Sequence, residues 1–279
     1  MSNNSKGWKK EFDSEGRSST YDKIISLFSL RRSERFKVLQ AVLPEPSQTE
    51  FKILELGTGT GLLTELLVEL FPDASVVTIE GAEKMMEQAK SKTVLQENEA
   101  RIQWILADYS SPSWLKDVMP PFNLIVTFDS LHHLSHERKK ELYKEIYDLT
   151  VKGGYFIISD HITSHGSFFD DPQYKLWIQE ILDNLKNVEK GSDIAAIIEA
   201  AFSLSLRDLQ QLSLPELHDI FTSRLKQEGD NPMPVMQHVD AMRNVGFNNI
   251  IIEYRYANYA IFSAKKYESH TNNYFASML

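Results

Sequence analysis

The sequence predicts an α/β fold in which a mostly parallel sheet is covered by helices on both faces. Three observations carry this expectation. Short, nearly unbroken apolar runs recur through the first 160 residues, and strands buried on both faces read in this way. Segments of helical period separate those runs. Near the end, two further runs are joined only by Ala257-Asn258, the spacing of an antiparallel hairpin.

Residues 1–20 are polar, with Trp8 and Phe12 as apolar exceptions available for docking. Tyr21, Ile24, Ile25 and Phe28, then Phe36, Leu39, Val42 and Leu43, fall near the helical period and predict one or two helices over 21–43. Pro44 and Pro46 close that segment. A first strand over Ile53–Leu56 runs into Gly57-Thr58-Gly59-Thr60-Gly61, and a helix follows over Gly61–Leu70. A strand that breaks into a glycine turn and feeds a helix brings backbone N–H groups close to a bound nucleotide. Dinucleotide loops keep a third small residue for close helix–strand packing. Here that position is Leu62, which argues for a different nucleotide ligand.

Val76–Glu80 is a second buried strand, ending in a carboxylate where doubly wound folds bind ribose hydroxyls. The helix Ala82–Lys92 carries Met85 and Met86. A third strand, Ile102–Leu106, ends in Ala107-Asp108-Tyr109. A fourth, Phe122–Phe128, leads into Asp129-Ser130-Leu131-His132-His133-Leu134, and Ser135 caps a helix to Leu149. A fifth strand, Tyr155–Ser159, follows Lys152-Gly153-Gly154 and ends in Asp160-His161.

The run Glu55-Leu56-Gly57-Thr58-Gly59-Thr60-Gly61 resembles motif I of the class I S-adenosylmethionine-dependent methyltransferases, and the later strand ends follow that family's order. The resemblance implies a Rossmann-like seven-stranded sheet of order 3-2-1-4-5-7-6, with strand 7 antiparallel. It also implies S-adenosylmethionine as cofactor and S-adenosylhomocysteine as product. The implied cofactor site comprises Glu55, Gly57, Thr58, Gly59, Gly61, Glu80, Gly81, Met85, Asp108, Tyr109, Phe128, Asp129 and Ser130. Glu80 would accept ribose hydroxyls, Asp108 the adenine amino group, and Tyr21 would belong to a covering segment. The resemblance spans 51–162 and 233–266. It divides the chain into an N-terminal segment with capping helices (1–50), the core (51–162), a helical insertion (163–231) and a C-terminal helix and hairpin (232–279).

The insertion is what the shared core does not explain. Tyr174, Trp177, Ile178, Ile181, Leu182 and Leu185 form an apolar stripe. Ser192 caps a second helix to Phe202, and Ser213-Leu214-Pro215-Glu216 has the spacing of a capping box for a third, ending near Lys226. Helices inserted at the carboxyl ends of the strands stand over the ligand edge of such a sheet. That makes the segment a substrate lid; a homodimer arm is the other use of such a stripe. A helix over Met233–Val245, the turn Gly246-Phe247, and strands Ile250–Tyr256 and Tyr259–Ala264 complete the core.

Methyl transfer from a sulfonium chiefly requires alignment and exclusion of water, with a general base where the acceptor carries a proton. His161 and His133, with Asp160 beside the former, are the catalytic candidates, because a histidine titrates near neutrality. A metal-dependent O-methyltransferase using Asp129, Asp160 and His161 is an alternative, although the imidazole ill suits Mg²⁺; no metal is the main expectation. A non-catalytic S-adenosylmethionine-binding protein is another. The 279-residue chain has no cysteine, which excludes zinc–thiolate sites and cysteine nucleophiles. Its 39 acidic and 30 basic residues give a formal charge of −9, which argues against a nucleic-acid partner. No apolar stretch reaches the roughly 18–20 residues of a membrane span, and the amino terminus lacks the apolar centre of a signal peptide. A cytoplasmic enzyme acting on a small organic molecule, at an O, N or C atom, is the expectation.

Overall fold

A computed structural model describes residues 12–45, 50–164 and 167–267; Trp8 and Pro46, singled out above, lie outside them. The core strands are β1 (Lys52–Leu56), β2 (Ser75–Glu80), β3 (Ile102–Leu106), β4 (Phe122–Phe128) and β5 (Thr150–Thr163). The two-residue β6 (Met233–Pro234), then β7 (Asn248–Tyr256) and β8 (Tyr259–Lys265), follow later. The sheet runs β3-β2-β1-β4-β5-β8-β7, with β6 paired to β5 off this path. Counted without β6, this is the expected order 3-2-1-4-5-7-6. The last strand is antiparallel to both neighbours, and the β1–β5 pairings are parallel.

Alternation along the strands divides two cores. Leu54, Leu56, Ile125, Phe156 and Ile158 face one, with Leu142, Tyr143 and Ile146 of α6 (His136–Leu149) and Met242 of α11 (Val235–Val245). Ile53, Leu124, Val126 and Ile157 face the other, with Leu63, Leu67 and Val68 of α3 (Leu62–Leu70) and Ala89 of α4 (Glu83–Lys90). Burial on both faces is why β4 is apolar almost throughout. Gly61 caps α3 at φ 85°, and a Cβ there would come within 2.9 Å of Ala89 Cβ. That close approach needs glycine.

Two helices precede the sheet, α1 (Glu15–Phe28) and α2 (Arg32–Val42). The insertion holds α7 (Pro172–Lys186), α8 (Asp193–Phe202), α9 (Leu206–Gln211) and α10 (Leu214–Glu228). Ser192 caps α8 through the Ala195 N–H, and the Ser213–Glu216 capping box opens α10. The α7 stripe is buried against Ile198, Leu209, Leu217 and Phe221 of the insertion itself, and against Leu30. The carbonyls at the end of α1 complete the attachment. Phe28 accepts from Trp177 Nε1 at 2.8 Å, and Leu27 from Asn184 Nδ2 at 3.0 Å. Helix α1 and the insertion are thus one cover.

Four expectations shift. The short helix α5 (Thr93–Glu97) follows α4, which stops at Lys90, and α9 occupies a stretch too short to show periodicity. The helix expected from Met233 begins at Val235, because Met233–Pro234 pairs with Ile162–Thr163. Strand β5 runs to Thr163, so Asp160 and His161 lie within it and not beyond its end. The reason is β8, whose Ala260 and Tyr259 pair with Asp160 and His161 and extend the ladder. Removing one stripe residue tests the packing: Ile181→Ala should destabilise the protein by about 2–5 kcal/mol in urea unfolding.

Candidate functional site

The carboxyl ends of β1, β2 and β4 enclose a cleft lined by Gly57, Thr58, Gly59, Glu80, Met85, Tyr109, Phe128, Asp129 and Ser130. Gly57 has φ 77°, and a Cβ there would overlap the Ser130 side chain, itself hydrogen-bonded to Tyr109. Glu80 crosses the floor of the loop. Its oxygens accept the Gly59 and Ala82 N–H groups, each at 2.8 Å. Burial raises the Glu80 carboxyl above its usual range, against those two donors.

Four residues implied above stand outside this lining. Glu55 is buried on β1, accepts Thr64 Oγ1 at 2.7 Å, and is pushed up to about 8 by burial. Gly61 packs on α4, and Gly81 is buried beyond the cleft. Asp108 turns its Oδ1 to the Ser110 N–H at 2.8 Å. Arg32, Phe12, Tyr21 and His133 join the lining instead.

Asp129 sits at φ 50°, a left-handed conformation that aspartate tolerates. Arg35 grips it with two guanidinium nitrogens at 2.6 and 2.9 Å, while Arg32 and Ser29 each reach Oδ2 at 2.8 Å. Burial alone would raise its pKa, but these partners hold it well below the carboxylate range. Asp160 is also engaged: its Oδ1 meets His132 Nδ1 at 2.6 Å and the His161 N–H at 2.8 Å. Both oxygens of Asp129 and one of Asp160 are thus engaged by cations and donors, which disfavours a metal on Asp129, Asp160 and His161.

Beside the cleft lies a cavity of about 690 Å³ under the insertion. Its walls are mostly apolar, including Ile24, Phe28, Trp177, Ile197, Phe202 and Phe221. His132, His133, His161 and Asp230 face it at the sheet edge. Phe12, Tyr21, Asp129 and His133 line both spaces.

Sequence reasoning missed Asp230, which follows α10 with no local motif to mark it. Its Oδ1 lies 3.1 Å from His133 Nδ1. Two ties bring it there. Asn231 N–H donates to the His132 carbonyl at 2.7 Å, and the buried Lys139 ammonium donates to the carbonyls of Leu134 (2.9 Å) and Asn231. The end of the insertion is thereby fastened to the turn that carries both histidines.

The three cavity histidines differ in charge. Burial is the largest influence on His132 and disfavours its protonation, yet Asp160 and Asp230 outweigh it and hold the pKa at about 9. Burial and the His132 charge push His161 down to about 3 and lower His133 as well. Near neutrality His132 is a cation, and His133 and His161 are neutral. Ligand atoms of His132, His133 and Asp230 lie within 4.8 Å of one another, a spacing suited to a cation. The proton that two carboxylates hold on His132 opposes that use, since a metal needs neutral imidazole.

Residues 53–154 match the family model described as a methyltransferase domain. The malonyl-(acyl-carrier protein) O-methyltransferase of Priestia megaterium is 30% identical over 50% of this chain and 46% of its own length. The carboxy-S-adenosyl-L-methionine synthase of Nautilia profundicola is 21% identical over 92% of this chain and 94% of its own. Human N-acetylserotonin methyltransferase, solved with S-adenosylmethionine, superposes with a TM-score of 0.53 at 14% identity, over 92% of this chain and 57% of that one. The chain thus spans about half the length of the first and third of these proteins. No described helix is long and apolar enough to cross a membrane.

Two outcomes test the site. Glu80→Ala should weaken S-adenosylhomocysteine binding at least tenfold by titration calorimetry, and unchanged affinity would remove Glu80 from the ligand. Folding raises the His132 pKa from 6.5 to about 9, so its stabilisation is complete below pH 6.5 and is lost as pH rises through about 9. Unfolding free energy should therefore fall over that interval, and His132→Gln should flatten the fall.

Proposed function

We propose that this chain, which belongs to the class I S-adenosylmethionine-dependent methyltransferases, transfers a methyl group to an oxygen, nitrogen or carbon atom of a small acceptor with an apolar body. One observation carries the reading: His133 lines both the glycine-loop cleft and the apolar cavity. A group at that junction can touch donor and acceptor together. The cleft also fits the cofactor, since Gly57 and Gly59 leave that part of its wall without side chains and the Glu80 carboxylate lines it at the end of β2. Bound S-adenosylmethionine supplies an electrophilic methyl group on a sulfonium.

The chain's own residues do the remainder. The apolar cavity walls exclude water from the acceptor and orient it. His133, kept neutral by burial and by the neighbouring His132 charge, accepts the acceptor's proton. Asp230 orients that ring and stabilises the imidazolium as it forms, the role of the carboxylate in an Asp–His pair. His161 is a poorer base, because burial and His132 make its protonated form costly. Helix α1 and residues 163–231 are read as the lid over the acceptor; the α7 stripe that a dimer arm would need is spent on the insertion's own core.

The match of the carboxy-S-adenosyl-L-methionine synthase along nearly the whole chain favours a second reading. In it, S-adenosylmethionine is itself the molecule modified. Mass spectrometry of the nucleoside product separates the two: S-adenosylhomocysteine is expected, and a carboxylated S-adenosylmethionine would replace the first reading. For methyl transfer, His133→Ala should lower kcat roughly 10²- to 10⁴-fold. Activity should also fall with acidification only below pH 6.5, the ordinary histidine value, because the His133 pKa is lowered from it. A variant with unchanged kcat would acquit His133 as the base.

A further inference from the structure

We infer that His132 holds the acceptor's reacting oxygen as an anion, so that the acceptor carries an acidic hydroxyl, as a phenol or an enol does. The inference rests on the reading of the large cavity as the acceptor site and names the substrate class for it. His132 stands on the turn Leu131–His133 after β4 and lines the cavity but not the glycine-loop cleft. It therefore meets the acceptor without meeting the donor. His133, its neighbour, lines both.

The ring is fixed in place. Its centroid lies 4.1 Å from that of His133 and 4.5 Å from that of His161, and its Nδ1 lies 2.6 Å from Asp160 Oδ1. Asp160 is fully buried and does not line the cavity, so Nδ1 is spent behind the wall. Nε2 is different. No described residue hydrogen-bonds it, yet it is not one of the sealed, unpartnered side-chain atoms, so it keeps part of the side chain's 8% exposure. Near neutrality His132 is an imidazolium, which has an N–H on both nitrogens. The wall thus presents one cationic donor to the cavity, and a donor of that kind binds an anionic oxygen most strongly.

Charge decides between oxygen and nitrogen. The charged and titratable groups around His132 are Asp160 and His161 on β5, His133 on its own turn, Asp230 after α10, Asp129 at the end of β4 and Lys139 on α6. Arg35 already covers both Asp129 oxygens. Of the rest, the His132 and Lys139 cations balance Asp160 and Asp230, while His133 and His161 are neutral. When the acceptor's O–H gives its proton to His133, the cluster gains one positive charge. The oxygen keeps the electron pair and supplies the matching negative charge, and a buried charge without such a partner is costly. An amine that attacks while neutral brings no anion, and its nitrogen turns positive beside the His132 cation.

Two probes of one shape test this, titrated just above neutral pH into protein saturated with S-adenosylhomocysteine. One is 4-nitrophenol, largely ionised at that pH; the other is the neutral 4-nitroaniline. The wild-type protein should bind the phenolate roughly 10- to 1000-fold more tightly, the effect of one close opposite charge, and the bound probe should keep its phenolate absorbance. His132→Gln should bind the two within about threefold of each other, because that charge is gone. Its affinity for 4-nitroaniline and its circular dichroism should stay near the wild-type values. His133→Ala should keep the preference, which separates a fixed cation from a base. Equal binding or a preference for 4-nitroaniline in the wild type, or a phenolate preference that survives in His132→Gln, overturns the inference and leaves the methyl-transfer reading intact. Binding of neither probe by the wild type overturns the reading of the cavity as the acceptor site, and the inference with it.

Discussion

The grip of Arg35 on Asp129 is the constraint from which the rest of the architecture follows. Asp129 ends β4 at the centre of the sheet, Arg35 lies on α2, and Ser29 sits between α1 and α2. One buried carboxylate therefore fixes the height and direction of both N-terminal helices above the ligand edge. Removing one partner of a buried pair typically costs about 3–5 kcal/mol, because the other charge is stranded. The Tyr259 ring lies 3.9 Å from the Arg35 guanidinium carbon and ties β8 into the same cluster. Cleft, cavity and cover share this foundation.

The same economy of charge governs the histidines. A turn that places His132 and His133 side by side, with ring centroids 4.1 Å apart, cannot protonate both at low cost. Two carboxylates settle the competition in favour of His132, and its charge then keeps its neighbours neutral. An acid–base pair poised at different pKa values thus arises from adjacent residues of one type, through unequal surroundings alone.

Much of this was legible in the residues. Alternating glycines, strand-end acids and the closing hairpin were readable because each reports a local backbone demand, and the family resemblance they carry implied the sheet order. The α7 stripe and the caps at Ser192 and Ser213 were readable for the same reason. Asp230 and the arginine cluster were not. Arg32 and Arg35 lie nearly a hundred residues from Asp129, and nothing in their neighbourhoods signals pairing. The length of β5 depended on β8, a partner that follows it by about a hundred residues, so the placement of Asp160 and His161 was a tertiary outcome.

Fastening the insertion at both ends has an evolutionary meaning. At its start, Asp171 accepts from Thr163 Oγ1 at 2.8 Å; at its finish, Asn231 donates to the His132 carbonyl. The cassette between those two clasps is held by its own core and, through α7, by the end of α1. Its helices can drift in sequence or length and remodel the cavity wall, while the clasps preserve the register of Asp230 against His133. Such a chain can diversify in what it modifies without relearning how to catalyse.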